Sequence, residues 1–208
     1  MPTVRTVAAD AAGARAAVAV LSSGGVAILP TDTVYGIAAR PTDPGAVQQV
    51  FMAKGRPEGM HLPVLAASVA QVAALGVAFT PAAAALARTW WPGPLTLAFG
   101  FGDETRPQWL AGREEVAVRV PDHDFLRGIL EETGVLLVTS ANRHGAPTPL
   151  AAADATRSLH GDVALVVDGG TLTDVPSTLV NVRHDEPAVE REGAVSQAAI
   201  AAALDGIA

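Results

Sequence analysis

The 208-residue chain contains no cysteine, one lysine, one tyrosine and two asparagines. Without cysteine there can be no disulfide, no thiol nucleophile and no thiolate-bound metal, and the composition suits a reducing compartment. No apolar run approaches the ~18 residues of a membrane span. The opening "MPTVRTVAAD" lacks the basic-then-apolar order of a secretion signal. A cytoplasmic protein with no membrane attachment is therefore expected. The five histidines, at 61, 123, 144, 160 and 184, show no H-x-x-x-H or H-E-x-x-H spacing, so no metal held by protein side chains is expected. Basic charge is scarce as well, and the formal net charge is −7. A chain whose main work is gripping a nucleic-acid backbone usually carries a basic excess, so the balance favours a small-molecule task.

What is present is ample core. Half of the residues are hydrophobic, and the length suits one domain over 1–208. Apolar runs bounded by Gly, Pro or Asp alternate with Ala-rich helical stretches. Helices are expected at 10–21, 43–55, 81–90, 122–132, 150–159 and 196–204. Asp43-Pro44 is a strong helix start, with Asp as cap and Pro at the first position. Strands are expected at 26–29, 62–67, 94–101, 115–120, 135–140 and 163–168. "STLVNV" and "PAVERE" suit a closing strand pair. The fold class is a mixed α/β chain with interleaved elements. No repeat, linker or internal boundary is visible.

The scarce residue types fall in short polar motifs beside apolar runs. "VAILPTDTVYG" runs a buried strand into Thr31, Asp32, Thr33 and Tyr35, more polar residues than a turn needs. Alternating hydroxyls there can point into one pocket. "AKGRP" carries Lys54 and Arg56 two residues apart after a helix. A point charge and a flat fork suit a polyphosphate or carboxylate, and both cations are expected on an exposed loop. "TSAN" ends an apolar strand with Thr139, Ser140 and Asn142, small donors suited to phosphate oxygens or a base edge. No G-x-S-x-G elbow, Walker loop or G-x-G-x-x-G fingerprint occurs. "VDGG" reads as a simple turn, and "WWPGPLT" as core aromatics followed by a turn.

Together "LPTDTVYG", "AKGRP", "WPGPLTL", "VAVRVP", "TSANRHGAPTP", "STLVNV" and "REGA" resemble, in order and over about residues 10–200, the YrdC/Sua5 family of threonylcarbamoyl-AMP synthases. The resemblance implies a twisted, open mixed β-sheet with surrounding helices and a large concave cleft. It implies formation of L-threonylcarbamoyladenylate from L-threonine, bicarbonate and ATP with release of pyrophosphate. The product would feed a threonylcarbamoyl transferase complex that modifies tRNA adenosine 37. Magnesium would arrive with ATP. Lys54 and Arg56 match the family's catalytic, phosphate-facing pair. Ser140, Asn142, Thr148 and Arg191 match ATP-binding positions. Thr33, Arg119, Val138 and Ser177 match the L-threonine pocket, with Arg119 on the substrate carboxylate.

Two features depart from the family. Many members carry a histidine at the end of the strand after the Lys-x-Arg loop, where this chain has Ala66 or Ala67, with His61 just before the strand. No C-terminal Sua5 domain is expected, so the chain resembles the short single-domain type. Two other readings compete: an RNA-binding module for double-stranded RNA or tRNA, and a carbamoyl-adenylate enzyme using carbamoyl phosphate.

Overall fold

The computed structural model describes residues 4–57, 60–102, 105–161, 163–184 and 186–205. The strands are β1 (Arg5–Ala8), β2 (Ala27–Leu29), β3 (Gly36–Ala39), β4 (Val64–Leu65), β5 (Leu95–Phe99), β6 (Val116–Arg119), β7 (Leu136–Ser140), β8 (Leu165–Asp168), β9 (Thr178–Asn181) and β10 (Ala188–Arg191). The helices are α1 (Ala11–Ser22), α2 (Pro44–Lys54), α3 (Val69–Ala73), α4 (Pro81–Trp90), α5 (Asp124–Thr133), α6 (Ala152–Ser158) and α7 (Gln197–Leu204). All ten strands join one open sheet, ordered β1-β8-β2-β3-β7-β4-β6-β5-β9-β10. Parallel pairs (β1/β8, β2/β8, β4/β6, β5/β9) mix with antiparallel ones, as expected for the mixed class.

Local chemistry fixes the helix ends. Asp43 accepts a hydrogen bond from the Ala46 N–H at 3.1 Å, with Pro44 following as the first helical residue. Thr80 and Pro81 repeat the arrangement on α4. Asp10 caps α1 through two N–H groups, at 2.9 and 2.8 Å. Each cap satisfies donors that the first turn leaves orphaned.

Three of these strands and helices were not anticipated: β1, β3 and the short α3. The most consequential is β3, which pairs with β2 in register Leu29↔Gly36. "PTDTVY" is therefore the tip of a β-hairpin. A Cβ at Gly36 would come within 2.5 Å of Val138 Cγ1 on β7, so any larger residue there forces that side chain to shift. Strand β4 is shorter than expected and holds only Val64 and Leu65.

The two faces of the sheet are covered unequally. One face carries the larger core, with Ile28, Ile37, Val64, Leu97, Val118 and Leu137 packed beneath elements that include Val50, Phe51, Leu86 and Ile200. On the other face, Ala17 and Leu21 of α1 and Leu126, Ile129 and Leu130 of α5 pack on Leu29, Ala38, Leu65, Leu136, Val138 and Leu165. That cover stops near β4. The same face of β6, β5 and β9 carries Ala117, Arg119, Thr96 and Leu179, which line an open cleft instead.

Candidate active site

The cleft encloses about 250 Å³. The β2–β3 hairpin tip forms one wall through Thr31, Thr33, Val34 and Gly36. The floor is Leu65, Thr96, Ala117, Arg119 and Val138, and the rim carries Ser140, Thr148, Ser177 and Arg191. Seven of the ten expected site residues thus share one cavity: Thr33, Arg119, Val138, Ser140, Thr148, Ser177 and Arg191.

The hairpin tip is organised by Thr31. Its hydroxyl donates to the Val34 carbonyl at 2.8 Å and accepts from the N–H groups of Thr33 (3.0 Å) and Val34 (3.2 Å). Thr33 Oγ1 lies 3.0 Å from Thr31 Oγ1. Both threonines are almost fully buried, so a small ligand in the cleft would meet fixed hydroxyls. Tyr35 does not belong to this wall, contrary to the expectation of one row of hydroxyls. Its phenol donates to the Gly170 carbonyl at 2.6 Å and accepts from the Gly169 N–H at 3.0 Å. Burial raises its pKa from the ordinary tyrosine value. The tight turn from Thr31 to Val34 breaks the strand alternation, and Tyr35 falls with Ile37 on the opposite face. There it pins the "VDGG" turn, in which Asp168 accepts from the Gly170 N–H at 2.9 Å.

Arg119, at the end of β6, reaches the floor almost fully buried. Its Nη1 donates to Asp32 Oδ1 at 2.8 Å, and Nη2 approaches Thr31 Oγ1 at 3.4 Å. Burial lowers its pKa from the ordinary arginine value; the Asp32 charge opposes that shift and Arg191 adds to it. Across the cleft, Arg191 donates to the Ser177 carbonyl at 2.8 Å through Nη2 and at 3.3 Å through Nε. The Ser177 hydroxyl lies 2.7 Å from that of Thr96. The segment after β10 is clamped to β9 by Thr178, whose hydroxyl accepts from the N–H groups of Gly193 and Val195, both at 2.9 Å. Any side chain at 193 would collide with the Pro176 carbonyl, at 2.2 Å, which explains the glycine of "REGA".

Lys54, Arg56 and Asn142 are not on the cleft wall; they build the rim from behind. Lys54 is neither on a loop nor exposed. It is the last residue of α2, 3 % exposed, and its ammonium donates to the carbonyls of Ser140 and, at 2.6 Å, of Asn142. The correction has a local cause: Gly55, in the left-handed conformation at φ 59°, closes the helix so that the Arg56 N–H returns to the Phe51 carbonyl at 3.0 Å. The turn leaves Lys54 packed inward and Arg56 half-buried. Burial, then the neighbouring Arg56 charge, push the Lys54 ammonium down to about 8. The same loop is held by the His144 N–H on the Lys54 carbonyl at 2.9 Å and by the Asn142 amide on the Ala146 carbonyl at 2.5 Å. Arg56 donates to the His61 carbonyl at 3.2 Å and approaches Thr139 Oγ1 at 3.4 Å. Its Nε, and Asn142 Oδ1, are buried without a partner among the described residues. Glu58 and Gly59 of "GRPEG" lie outside the described residues.

The region of the missing histidine is apolar. Ala66 and Ala67 are buried, Pro63 and Leu65 line the cleft, and the exposed His61 is not among its lining residues. One polar lining residue had been given no site role in the sequence: Thr96, a lone hydroxyl inside the apolar strand "PLTLAF". Among the described residues no three His, Asp or Glu side chains cluster to hold a metal, and no helix is long and apolar enough to cross a membrane.

A half-bare mixed sheet whose uncovered strands carry hydroxyls and two arginines, beside a rim stapled by a buried lysine, defines a specific class of open-sheet domain. The chain belongs to the Sua5/YciO/YrdC family, whose model, described as telomere recombination, matches residues 19–193. It is 36% identical over 194 residues to a threonylcarbamoyl-AMP synthase of Bacillus subtilis, covering 92% of this chain and 56% of that protein. A threonylcarbamoyl-AMP synthase of Thiobacillus denitrificans is 34% identical over 167 residues, 79% of this chain and 88% of that one. The structure of P. abyssi Sua5 complexed with L-threonine superposes with a TM-score of 0.87 at 30% identity, covering 97% of this chain and 61% of that one. The chain therefore spans somewhat over half the length of the Bacillus relative and of the Pyrococcus structure.

Proposed function

We propose that this chain is an L-threonylcarbamoyladenylate synthase, a nucleotidyltransferase acting in the cytoplasm on L-threonine, bicarbonate and ATP. One observation carries the reading: a pocket of fixed hydroxyls with a buried arginine opens directly onto a rim built by Lys54, Arg56 and the Ser140–Asn142 loop. The relative solved with L-threonine and the synthase names of the relatives support it.

In this reading Arg119 receives the substrate carboxylate, and Thr33 and Ser177 the rest of the amino acid, with Val138 against its side chain. The threonine amine and bicarbonate condense with loss of water to N-carboxythreonine, whose carboxylate attacks the α-phosphorus of ATP; an O–P bond forms, the bond from the α-phosphorus to the bridging oxygen breaks, and pyrophosphate leaves. Charge grows on the phosphates, so catalysis is positioning and electrostatics. Arg56, with Ser140, Asn142, Thr148 and Arg191, holds the triphosphate, while Lys54 fixes the loop and adds positive charge beneath it. Magnesium would arrive on the phosphates of the nucleotide. The product passes to a threonylcarbamoyl transferase complex acting on tRNA.

The test is pyrophosphate release from ATP and bicarbonate, with and without L-threonine, with L-serine or carbamoyl phosphate in its place, and with double-stranded RNA or tRNA added. Release requiring threonine and bicarbonate is expected. Release with carbamoyl phosphate alone, or salt-sensitive RNA binding without turnover, would overturn the reading.

A further inference from the structure

Asp32 has no role in the reading so far, although it makes the shortest contact to Arg119. The pair is 2.8 Å apart, with side chains only 7% and 10% exposed. Asp32 is not part of the cleft wall, whereas Arg119 is. Its second oxygen, Oδ2, is buried without a partner among the described residues. Its one side-chain hydrogen bond among the described residues is to Arg119, with the His123 ring as a further neighbour, and burying a carboxylate is costly unless a partner compensates. Arg119 in turn needs an anchor. Arg191 lies near enough to repel it, and the Thr31 hydroxyl, at 3.4 Å, is a weak anchor. A long side chain with a charged head otherwise samples several rotamers, and ordering it on binding lowers affinity.

We infer that Asp32 is a positioning residue. It grips one edge of the Arg119 guanidinium, counters the second arginine of the cleft, and leaves the other edge aimed at the carboxylate of the amino-acid substrate. Asp32 acts through Arg119 without touching substrate. This rests on the synthase reading above for the identity of the ligand, but not for the effect on Arg119.

The experiment is calorimetric titration of the purified chain with L-threonine and, separately, with ATP. Asp32→Ala is expected to raise the L-threonine Kd about 10- to 100-fold and to change ATP affinity less than about threefold. Asp32→Asn keeps an acceptor oxygen in place and is expected to stay within about fivefold of wild type. In an Arg119→Ala background, Asp32→Ala should cause no further loss. Unchanged threonine affinity in Asp32→Ala, equal losses for both ligands, or an additive loss in the Arg119→Ala background would each overturn the inference. If the wild-type chain binds no L-threonine, the synthase reading fails, and side-chain NMR of the Arg119 guanidinium decides the remainder. A rigid signal that becomes mobile in Asp32→Ala supports positioning; equal mobility in both overturns it. Should Asp32→Ala not fold, Asp32→Leu, close in size and without an acceptor, takes its place in the same NMR comparison: a mobile guanidinium supports positioning, and one as rigid as in wild type overturns it.

Discussion

Replacing Lys54 by methionine tests the buried staple through its sign as well as its size. Burial and the nearby Arg56 hold the folded-state ammonium at about 8, against 10.5 for a free lysine. Below about pH 8 both folded and unfolded chains carry the proton. Between about 8 and 10.5 the unfolded chain keeps it while the folded chain has released it, so stability rises with pH across that window. The whole gap corresponds to about 3 kcal/mol. The Ser140 and Asn142 carbonyls favour the ammonium and make that figure an upper bound. Lys54→Met removes the ionisable group but leaves Tyr35 and every other titrating residue in place. The difference between wild-type and mutant unfolding free energies, measured by urea titration with far-UV circular dichroism from about pH 7 to 10, isolates Lys54. Wild type is expected to gain on the mutant as pH rises. Parallel profiles would refute the buried ammonium and the geometry that produces it. Turnover in Lys54→Met is expected to fall by about two to three orders of magnitude, and wild-type ATP affinity to weaken as pH rises past about 8.

Thr33→Val should raise the KM for L-threonine roughly 10-fold or more while leaving that for ATP within a few-fold, because it removes a hydroxyl from the amino-acid wall; equal effects on both would move Thr33 out of that pocket. Tyr35→Phe should lower stability by about 1–3 kcal/mol, because the Gly169 N–H and Gly170 carbonyl lose their partner. It should leave turnover within about threefold, since the phenol points away from the cleft, and urea unfolding beside the pyrophosphate assay would read both.

Helices α1, α2 and α4 were legible in the sequence because their start signals are local: Asp43-Pro44 reads as a helix start in any context. Strand β3 was not, because Gly36-Ile37-Ala38-Ala39 has no polar alternation and few β-formers. It is a strand because β2 and β7 flank it, a non-local fact. The same blindness misdirected Tyr35. Counting by twos from Thr31 and Thr33 puts all three hydroxyls on one side, and only the turn closed by the Thr31 side chain shows otherwise. Lys54 was singled out by rarity, which marks a residue without locating it; its burial follows from Gly55 and the docking of the Ser140–Asn142 loop. Arg119 was foreseen, yet its partner Asp32 was not, because no spacing rule joins positions 87 residues apart.

The two arginines of the cleft stand on unequal foundations. Arg119 grows from β6, which is bonded on both sides by β4 and β5. Arg191 grows from β10, an edge strand that among the described residues pairs with β9 alone and is irregular in register between Val189 and Arg191. A strand tethered along one edge yields at lower free energy than one tethered along two. The cavity is thus built like a vice with one jaw fixed to the bench, and adjustment to a larger or smaller occupant falls to the Arg191 jaw.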